Sequence, residues 1–137
     1  MEVLLPGTPA YESARRPSVA QFFDCQPAAI VCCGSSGDIA AAIRYARRRG
    51  LPAVARSGGH CFAGRSSTDG IVIDVSPLDA VSVSGMTATV GAGTRLGPLG
   101  EAPQAYGLAL PTGCGRTVGI AGLTLGAGWA SSVADTD

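Results

Sequence analysis

Apolar residues in the first half of the chain follow two patterns, one typical of a buried strand and one typical of a helix. Residues 28–33 form a short, continuous apolar run, and residues 52–56 are predicted as a second strand. Between them, apolar residues recur at helical spacing and form a single stripe, made of Ile39, Ala42, Ile43 and Ala46. A strand, a helix and a strand within about thirty residues predict a parallel crossover unit.

The predicted helix carries signals at both of its ends. Ser36 is predicted to be its N-cap, and Asp38 suits the first turn because the helix dipole favours negative charge there. Positive charge is favoured at the other end, where Arg47–Arg49 precede Gly50, a residue suited to ending a helix. A shorter helix is predicted for residues 8–16.

The second half of the chain predicts three strands and one more helix. Residues 71–75 are predicted as a strand, and residues 80–84 and 87–90 as the two arms of a hairpin. A helix is predicted for residues 96–106. Residues 111–128 are too rich in glycine for an ordinary core helix, which indicates close backbone packing in this segment.

The composition and charge of the chain indicate that nucleic acid and membrane are not its partners. The chain has ten Arg, no Lys and ten acidic residues, so its formal net charge is zero. We expect no nucleic-acid partner, because binding phosphates by charge requires a basic excess. We also expect no membrane span, because Gly, Ser and Pro interrupt every long uncharged stretch, and no signal peptide at the N-terminus.

The cysteines predict neither a disulfide framework nor a zinc site. There are five of them, no CxxC pair is present, and His60 is the sole histidine. A reducing, cytoplasmic location is therefore expected. Cys32 and Cys33 lie in a predicted strand, so we expect them to point to opposite faces and to fill the core.

The loop Ser57-Gly58-Gly59-His60 is the first candidate for chemistry. Consecutive glycines let several backbone N–H groups turn towards one point and form an anion site that needs no Lys. A glycine turn between two strands, with a solvent-facing histidine, explains the same residues equally well.

The second candidate is Cys114, between Gly113 and Gly115, which we expect to be accessible. An unreactive loop cysteine is the favoured alternative for an isolated residue of this kind. The glycines that follow also suit simple packing points between backbone segments.

Taken together, these segments resemble the N-terminal part of the vanillyl-alcohol-oxidase/PCMH-type FAD-binding domain, in its berberine-bridge-enzyme-like branch. The resemblance covers roughly residues 3–126 and is carried by RSGGH at 56–60, IVIDVSPLDAVSV from 71, VGAGTRLGPL from 90 and GCGRTVGIAGLTLGAG from 113. It implies an α+β fold of the PCMH type, with a small parallel β-α-β unit joined to a more antiparallel sheet and with FAD between them.

The resemblance also implies roles for individual residues. Ser57, Gly58 and Gly59 would hold the FAD pyrophosphate through backbone amides, and His60 would bond covalently to the flavin 8α-methyl. In doubly attached members, a cysteine in a G-x-C-x-x-V-G-I segment bonds flavin C6, which would be Cys114. The predicted cofactor-binding set is completed by Arg56, Cys61, Gly113, Val118, Gly119 and Gly122.

Relatives of this kind are several hundred residues long, which leaves the function of this chain open. The resemblance implies an oxidoreductase that takes hydride from an alcohol, a sugar or a similar small molecule. Residues 1–137 would form the N-terminal part of the FAD-binding domain, apparently truncated, with the substrate domain absent. The alternatives are an inactive fragment or interaction module that does not retain flavin, and a thiol-based redox protein using Cys114. The oligomeric state is not predicted.

Overall fold

A computed structural model describes residues 1–126 as two β-sheets with four α-helices around them. The strands are β1 (Glu2–Leu4), β2 (Ala29–Cys32), β3 (Ala53–Arg56), β4 (Ile71–Asp74), β5 (Val81–Ser84) and β6 (Thr87–Val90). The α-helices are α1 (Pro9–Ala14), α2 (Ser36–Arg49), α3 (Leu96–Glu101) and α4 (Ile120–Leu125), with 3-10 turns at Ala20–Phe22 and Ala102–Tyr106. No helix within residues 1–126 is long and apolar enough to cross a membrane.

The larger sheet has the strand order β1-β2-β4-β3. Strands β2, β4 and β3 run parallel, and β1 adds an antiparallel edge to β2. Helix α2 connects β2 to β3, so the predicted parallel crossover unit is confirmed. The predicted hairpin is the second sheet, in which β5 pairs antiparallel with β6. Together, the parallel unit and the separate antiparallel sheet confirm the α+β class.

The core lies on both faces of the parallel sheet, because the first three residues of both β2 and β4 are buried. On one face, Ala42 and Ala46 of α2 pack against every second residue of β2 and β4. On the other face, Tyr11 of α1 packs on Ile30 and Val72. Burying Tyr11 raises its pKa, and its hydroxyl donates to the carbonyl of Pro27 at 2.6 Å.

The cysteines of β2 follow the strand alternation. Cys33 is fully buried on the face that α2 covers, and Cys32 packs against the opposite core cluster. The expectation that they fill the core from opposite faces is therefore confirmed. All five cysteines carry free thiols.

The ends of α2 differ from the prediction by one residue. Ser35, and not Ser36, is the N-cap: its backbone is extended and its hydroxyl accepts the N–H of Asp38. An N-cap hydroxyl oxygen accepts an N–H up to three residues ahead, and the hydroxyl of Ser35 does so. Ser36 is therefore the first helical residue. Gly50 ends the helix as predicted.

Two further elements differ from the prediction in kind. The predicted helix at 96–106 is α-helical only to Glu101 and continues as a 3-10 turn, because Pro103 has no N–H to donate to an α-helical bond. The glycine-rich segment contains α4, although its composition argues against a helix. Strand β1 was not predicted, since three residues are too few to establish a period.

Candidate cofactor site

The glycine loop begins where β3 ends, at the carboxyl edge of the parallel sheet. Arg56 is the last residue of β3, and Ser57 follows it directly. The neighbouring strand β4 ends at the same edge, where the hydroxyl of Ser76 donates to the carbonyl of Ser57 at 3.3 Å. Ligands of parallel α/β sheets bind beyond this edge, so the fold places the loop where a cofactor is expected.

The loop is held from outside by the segment after α1. The N–H and the hydroxyl of Ser18 donate to the carbonyls of Gly59 and Gly58, at 3.1 and 2.9 Å. Gly59 has φ of +70°, a left-handed conformation that a side chain would strain. Both carbonyls are thus turned towards Ser18, which leaves the amides of the loop facing elsewhere.

The amides of this loop are the groups for which the sequence predicts an anion site, and that role stays a prediction. Within residues 1–126, the N–H groups of Gly58, Gly59, His60 and Cys61 donate to no protein acceptor. The hydroxyl oxygen of Ser57 is buried and likewise lacks a hydrogen-bond partner among these residues. Successive amides without protein acceptors are the kind of donors that can bind an anion without a cationic side chain.

A second backbone segment approaches this loop so closely that only glycine fits on either side. A Cβ atom added to Gly58 would lie 2.4 Å from the nitrogen of Gly119 and 2.6 Å from the carbonyl oxygen of Thr117. A Cβ atom added to Gly119 would lie 2.1 Å from the hydroxyl oxygen of Ser57. The two segments therefore form one site, although about sixty residues separate them.

This second segment is fixed from its far side by the residues before α3. Arg95 and Gly119 form an antiparallel bridge, and the N–H of Leu96 donates to the carbonyl of Val118 at 3.0 Å. The guanidinium of Arg95 also donates to the carbonyl of Thr117 at 3.1 Å. Segment 117–119 is thus held between the glycine loop and α3.

His60 points its imidazole at this segment. Its Nε2 lies 2.9 Å from the hydroxyl oxygen of Thr117. No residue of the described part makes a hydrogen bond to Nδ1. The neighbouring Cys61 is half-buried, and Phe62 is 82% exposed.

Arg56 is placed inside the protein, and its bonds go to main-chain carbonyls. Its side chain donates to the carbonyls of Ser66, Ala14 and Arg15, at 2.8, 2.9 and 3.1 Å. Burial lowers the pKa of the guanidinium, and the carboxylate of Asp74 opposes that shift. Arg56 thus ties the loop after β3 to the end of α1. A cofactor contact of this residue stays a prediction.

The remaining predicted residues are distributed around the second segment. Gly113 lines a groove of about 280 Å³ beside α3, and Cys114 is exposed. Val118 is partly buried, and Gly122 lies in α4 with no atom within 4 Å of an added Cβ. Cys114 lies four residues before Val118, one more than in the G-x-C-x-x-V spacing, and Gly115 occupies the position three residues before.

Four residues near the site were missed from the sequence: Ser18, Ser76, Thr94 and Thr117. Thr94 has a buried hydroxyl with no partner within residues 1–126, and its carbonyl accepts the N–H of Ile120 at 2.9 Å. Isolated Ser and Thr residues carry no pattern, and their roles arise from contacts across 20 to 60 residues. The end of the predicted glycine-rich segment, residues 127–128, lies outside the described residues.

A family model described as "FAD binding domain" matches residues 27–135, which is most of the chain. The chain belongs to this family. Among curated proteins, it is 39% identical over 129 residues to the FAD-linked oxidoreductase pytB of Aspergillus terreus, covering 92% of this chain and 16% of that protein. It is 34% identical over 113 residues to the berberine bridge enzyme-like protein Cyn d 4 of Cynodon dactylon, covering 76% and 22%.

Solved structures of flavin oxidases share the fold. 6-Hydroxy-D-nicotine oxidase from Arthrobacter nicotinovorans matches with a TM-score of 0.85 at 33% identity, covering 89% of this chain and 27% of that one. Glucooligosaccharide oxidase from Acremonium strictum, described with 6-S-cysteinyl, 8α-N1-histidyl FAD, matches with a TM-score of 0.81 at 29% identity, covering 91% and 27%. These matches confirm the PCMH-type fold and FAD as the cofactor of the family.

The chain spans a small share of the relatives it matches. It covers 16% of pytB, 24% of the FAD-linked oxidoreductase pynB of Aspergillus niger and 27% of the nicotine oxidase structure. The shared part is the FAD-binding domain of these oxidoreductases.

Proposed function

We propose that residues 1–137 form the N-terminal part of the FAD-binding domain of an oxidoreductase that takes hydride from an alcohol, a sugar or a similar small molecule. One observation supports this: the loop whose amides at residues 58–61 have no protein acceptor is also the loop that packs against Gly119 through Gly58. When bound, FAD supplies the hydride acceptor.

The residues of this chain would bind and orient the cofactor. The amides of Gly58 and Gly59, with the hydroxyl of Ser57, would hold the pyrophosphate. The backbone of 117–119 would form the adjoining wall, and His60 would fix the isoalloxazine through a bond to its 8α carbon. Attachment at the pyrophosphate, in the middle of FAD, and at the isoalloxazine restricts the orientation of the ring, which the transfer of hydride to one ring position requires.

We further propose that His60 is the main attachment residue. Cys114 is exposed and its distance in sequence from Val118 is one residue longer than in the motif of doubly attached members. A thiolate at Cys114 could still bond flavin C6, so a second bond is a matter for experiment.

Intact mass under denaturing conditions tests the proposal directly. The full-length chain, purified after expression with FAD, is expected to carry the added mass of one FAD. His60→Ala is expected to remove that mass if there is one bond, whereas mass that persists in His60→Ala and disappears in His60→Ala/Cys114→Ala would establish a second bond. Unmodified wild-type protein that also releases no flavin on unfolding would contradict the proposal.

A second candidate function is an interaction module that retains no flavin. It is favoured by an apolar groove of about 480 Å³ between α2 and β3, lined by Ile43, Leu51, Ala53 and Ala55 among other residues. Strand β3 is an edge of the sheet, and Ile43 of the predicted apolar stripe is 37% exposed there. Light scattering distinguishes the two: a soluble monomer that carries FAD supports the first, and flavin-free self-association supports the second.

We also propose a reducing compartment such as the cytoplasm. The support is the five free thiols, none of which lies in a disulfide. Thiol counting on protein extracted under alkylating conditions should give five, less any thiol bonded to flavin. A lower number that reductant restores would contradict this location.

A further inference from the structure

The imidazole of His60 is held at one of its two nitrogens. Nε2 lies 2.9 Å from the hydroxyl oxygen of Thr117, and no residue of the described chain bonds Nδ1. In a neutral imidazole one nitrogen carries the proton and the other carries the lone pair. The hydroxyl of Thr117 can accept from Nε2–H, which leaves the lone pair on Nδ1, or donate to Nε2, which places the proton on Nδ1.

The position of Thr117 is fixed independently of His60. The backbone of Gly58 packs against the carbonyl of Thr117 so closely that a Cβ atom on Gly58 would lie 2.6 Å from that oxygen. Arg95 donates to the same carbonyl at 3.1 Å from the other side. The backbone of Thr117 is therefore held in place, and its exposed side chain presents the hydroxyl to Nε2 of His60.

We propose that Thr117 is a positioning residue for His60: its hydroxyl accepts a hydrogen bond from Nε2–H, sets that tautomer, and leaves the Nδ1 lone pair free to bond the flavin. This rests on the proposed function, in which His60 is the attachment residue. In this role the hydroxyl of Thr117 acts through the imidazole of His60.

This arrangement favours the formation of a bond between His60 and the flavin methyl group. A C–N bond between Nδ1 and the 8α carbon replaces one C–H bond of the flavin methyl group. The methyl proton and the Nε2 proton are released from those atoms, and two electrons remain on the isoalloxazine. Dioxygen is the oxidant: it takes up these two electrons and the two protons and leaves as hydrogen peroxide, which returns the ring to its oxidised form. The Nε2 proton leaves through the hydrogen bond to Thr117.

The matched variants are Thr117→Val, which keeps the shape and removes the hydroxyl, and Thr117→Ser, which keeps the hydroxyl. The full-length apoprotein is mixed with FAD in air, and covalent FAD is followed by denaturing mass spectrometry. We expect Thr117→Val to be slower by about tenfold, the effect of losing one net hydrogen bond, and Thr117→Ser to stay within about twofold of wild type.

A second readout does not depend on flavin. His60 is the sole histidine, so nitrogen-15 spectra of the apoprotein, recorded across a pH series, report its tautomer without assignment. We expect the Nε2–H form in wild type and Thr117→Ser, and a mixture of both forms in Thr117→Val. A protein in which wild-type His60 is the Nδ1–H form overturns the proposal, whether or not Thr117→Val folds.

The two proposals fail in different ways. Wild type that gains no FAD mass contradicts the attachment at His60, while its tautomer still tests Thr117. Wild type and Thr117→Val that gain FAD at the same rate contradict the positioning role and leave the attachment intact.

Discussion

The crossover unit and the glycine contact are stabilised by opposite means. The crossover unit, β2 to β4, is built on side-chain burial: Ile30 and Val72 are fully buried, and α2 covers the other face. The glycine contact between residues 57–60 and 117–119 is built on the absence of side chains, since a single Cβ on Gly58 or Gly119 would overlap the facing backbone. One region therefore tolerates exchanges between apolar side chains of similar volume, and the other tolerates almost no added atom.

The largest effect is expected from removing a core side chain in the crossover unit. Ile30→Ala should lower the free energy of unfolding by about 2–5 kcal/mol, because the transfer energy is lost and a cavity remains. Urea unfolding of the full chain measures it. Met86→Ala is the control, since Met86 is 87% exposed in the hairpin and should change stability by less than about 0.5 kcal/mol. Equal effects of the two variants would contradict the burial assigned to β2.

The buried Arg56, the last residue of β3 before the glycine loop, should give the next effect. Arg56→Met keeps the length of the side chain but leaves the carbonyls of Ala14, Arg15 and Ser66 without their donor. We expect a loss of about 2–3 kcal/mol in urea unfolding, the range for hydrogen bonds to a charged group. The exposed Arg48 of α2 provides the control, because Arg48→Met removes the same charge from the surface. If Arg48→Met costs as much, the effect is one of net charge.

The glycine contact is tested by a matched pair within one segment. Gly119→Ala should cost about 1–3 kcal/mol by overpacking and should reduce FAD retention, since an added Cβ would lie 2.1 Å from the hydroxyl oxygen of Ser57. Gly122→Ala should gain about 0.5–1 kcal/mol, because Gly122 is helical and has open space around it. Flavin absorbance of purified protein and urea unfolding report the two effects. Loss of FAD from Gly122→Ala would show instead that the cofactor contacts its backbone.

The smallest effect concerns pH at the N-terminus of α2. Burial alone would raise the pKa of Asp38, but the N–H of Gly34, the N-terminal ammonium and the Ser35 hydroxyl outweigh it and lower the pKa. The native carboxylate thus holds its proton less tightly than the unfolded one. Its contribution to stability is present above the unfolded pKa of about 4 and is lost as pH falls through the native pKa.

Melting temperatures measured across the acid range test this contribution. Wild type should melt above Asp38→Asn at neutral pH, and the difference should shrink as pH falls below about 4. A difference that grows on acidification would mean that the carboxylate is destabilising in the folded protein.

Prediction from sequence worked best where many residues repeat one signal. The apolar run of β2 and the helical stripe of α2 each involve several positions, and both elements form as predicted. Where one residue carries the signal, the prediction is displaced or wrong. The sequence predicts Ser36 as the N-cap, whereas the N-cap is Ser35, because two adjacent serines satisfy the same preference. Ile43 belongs to the apolar stripe, yet it is 37% exposed, since β3 is an edge strand.

The sequence by itself determined the crossover unit, the hairpin and the family, because apolar periodicity and ordered motifs are local properties of the chain. Only the tertiary structure decided that Gly58 faces Gly119, that Arg56 binds main-chain carbonyls and that His60 bonds Thr117, across 57 positions of sequence. These contacts depend on where separate backbone segments meet in space. Glycine, serine and threonine leave almost no periodic signal for that, since their contribution is the room or the single hydrogen bond that they provide.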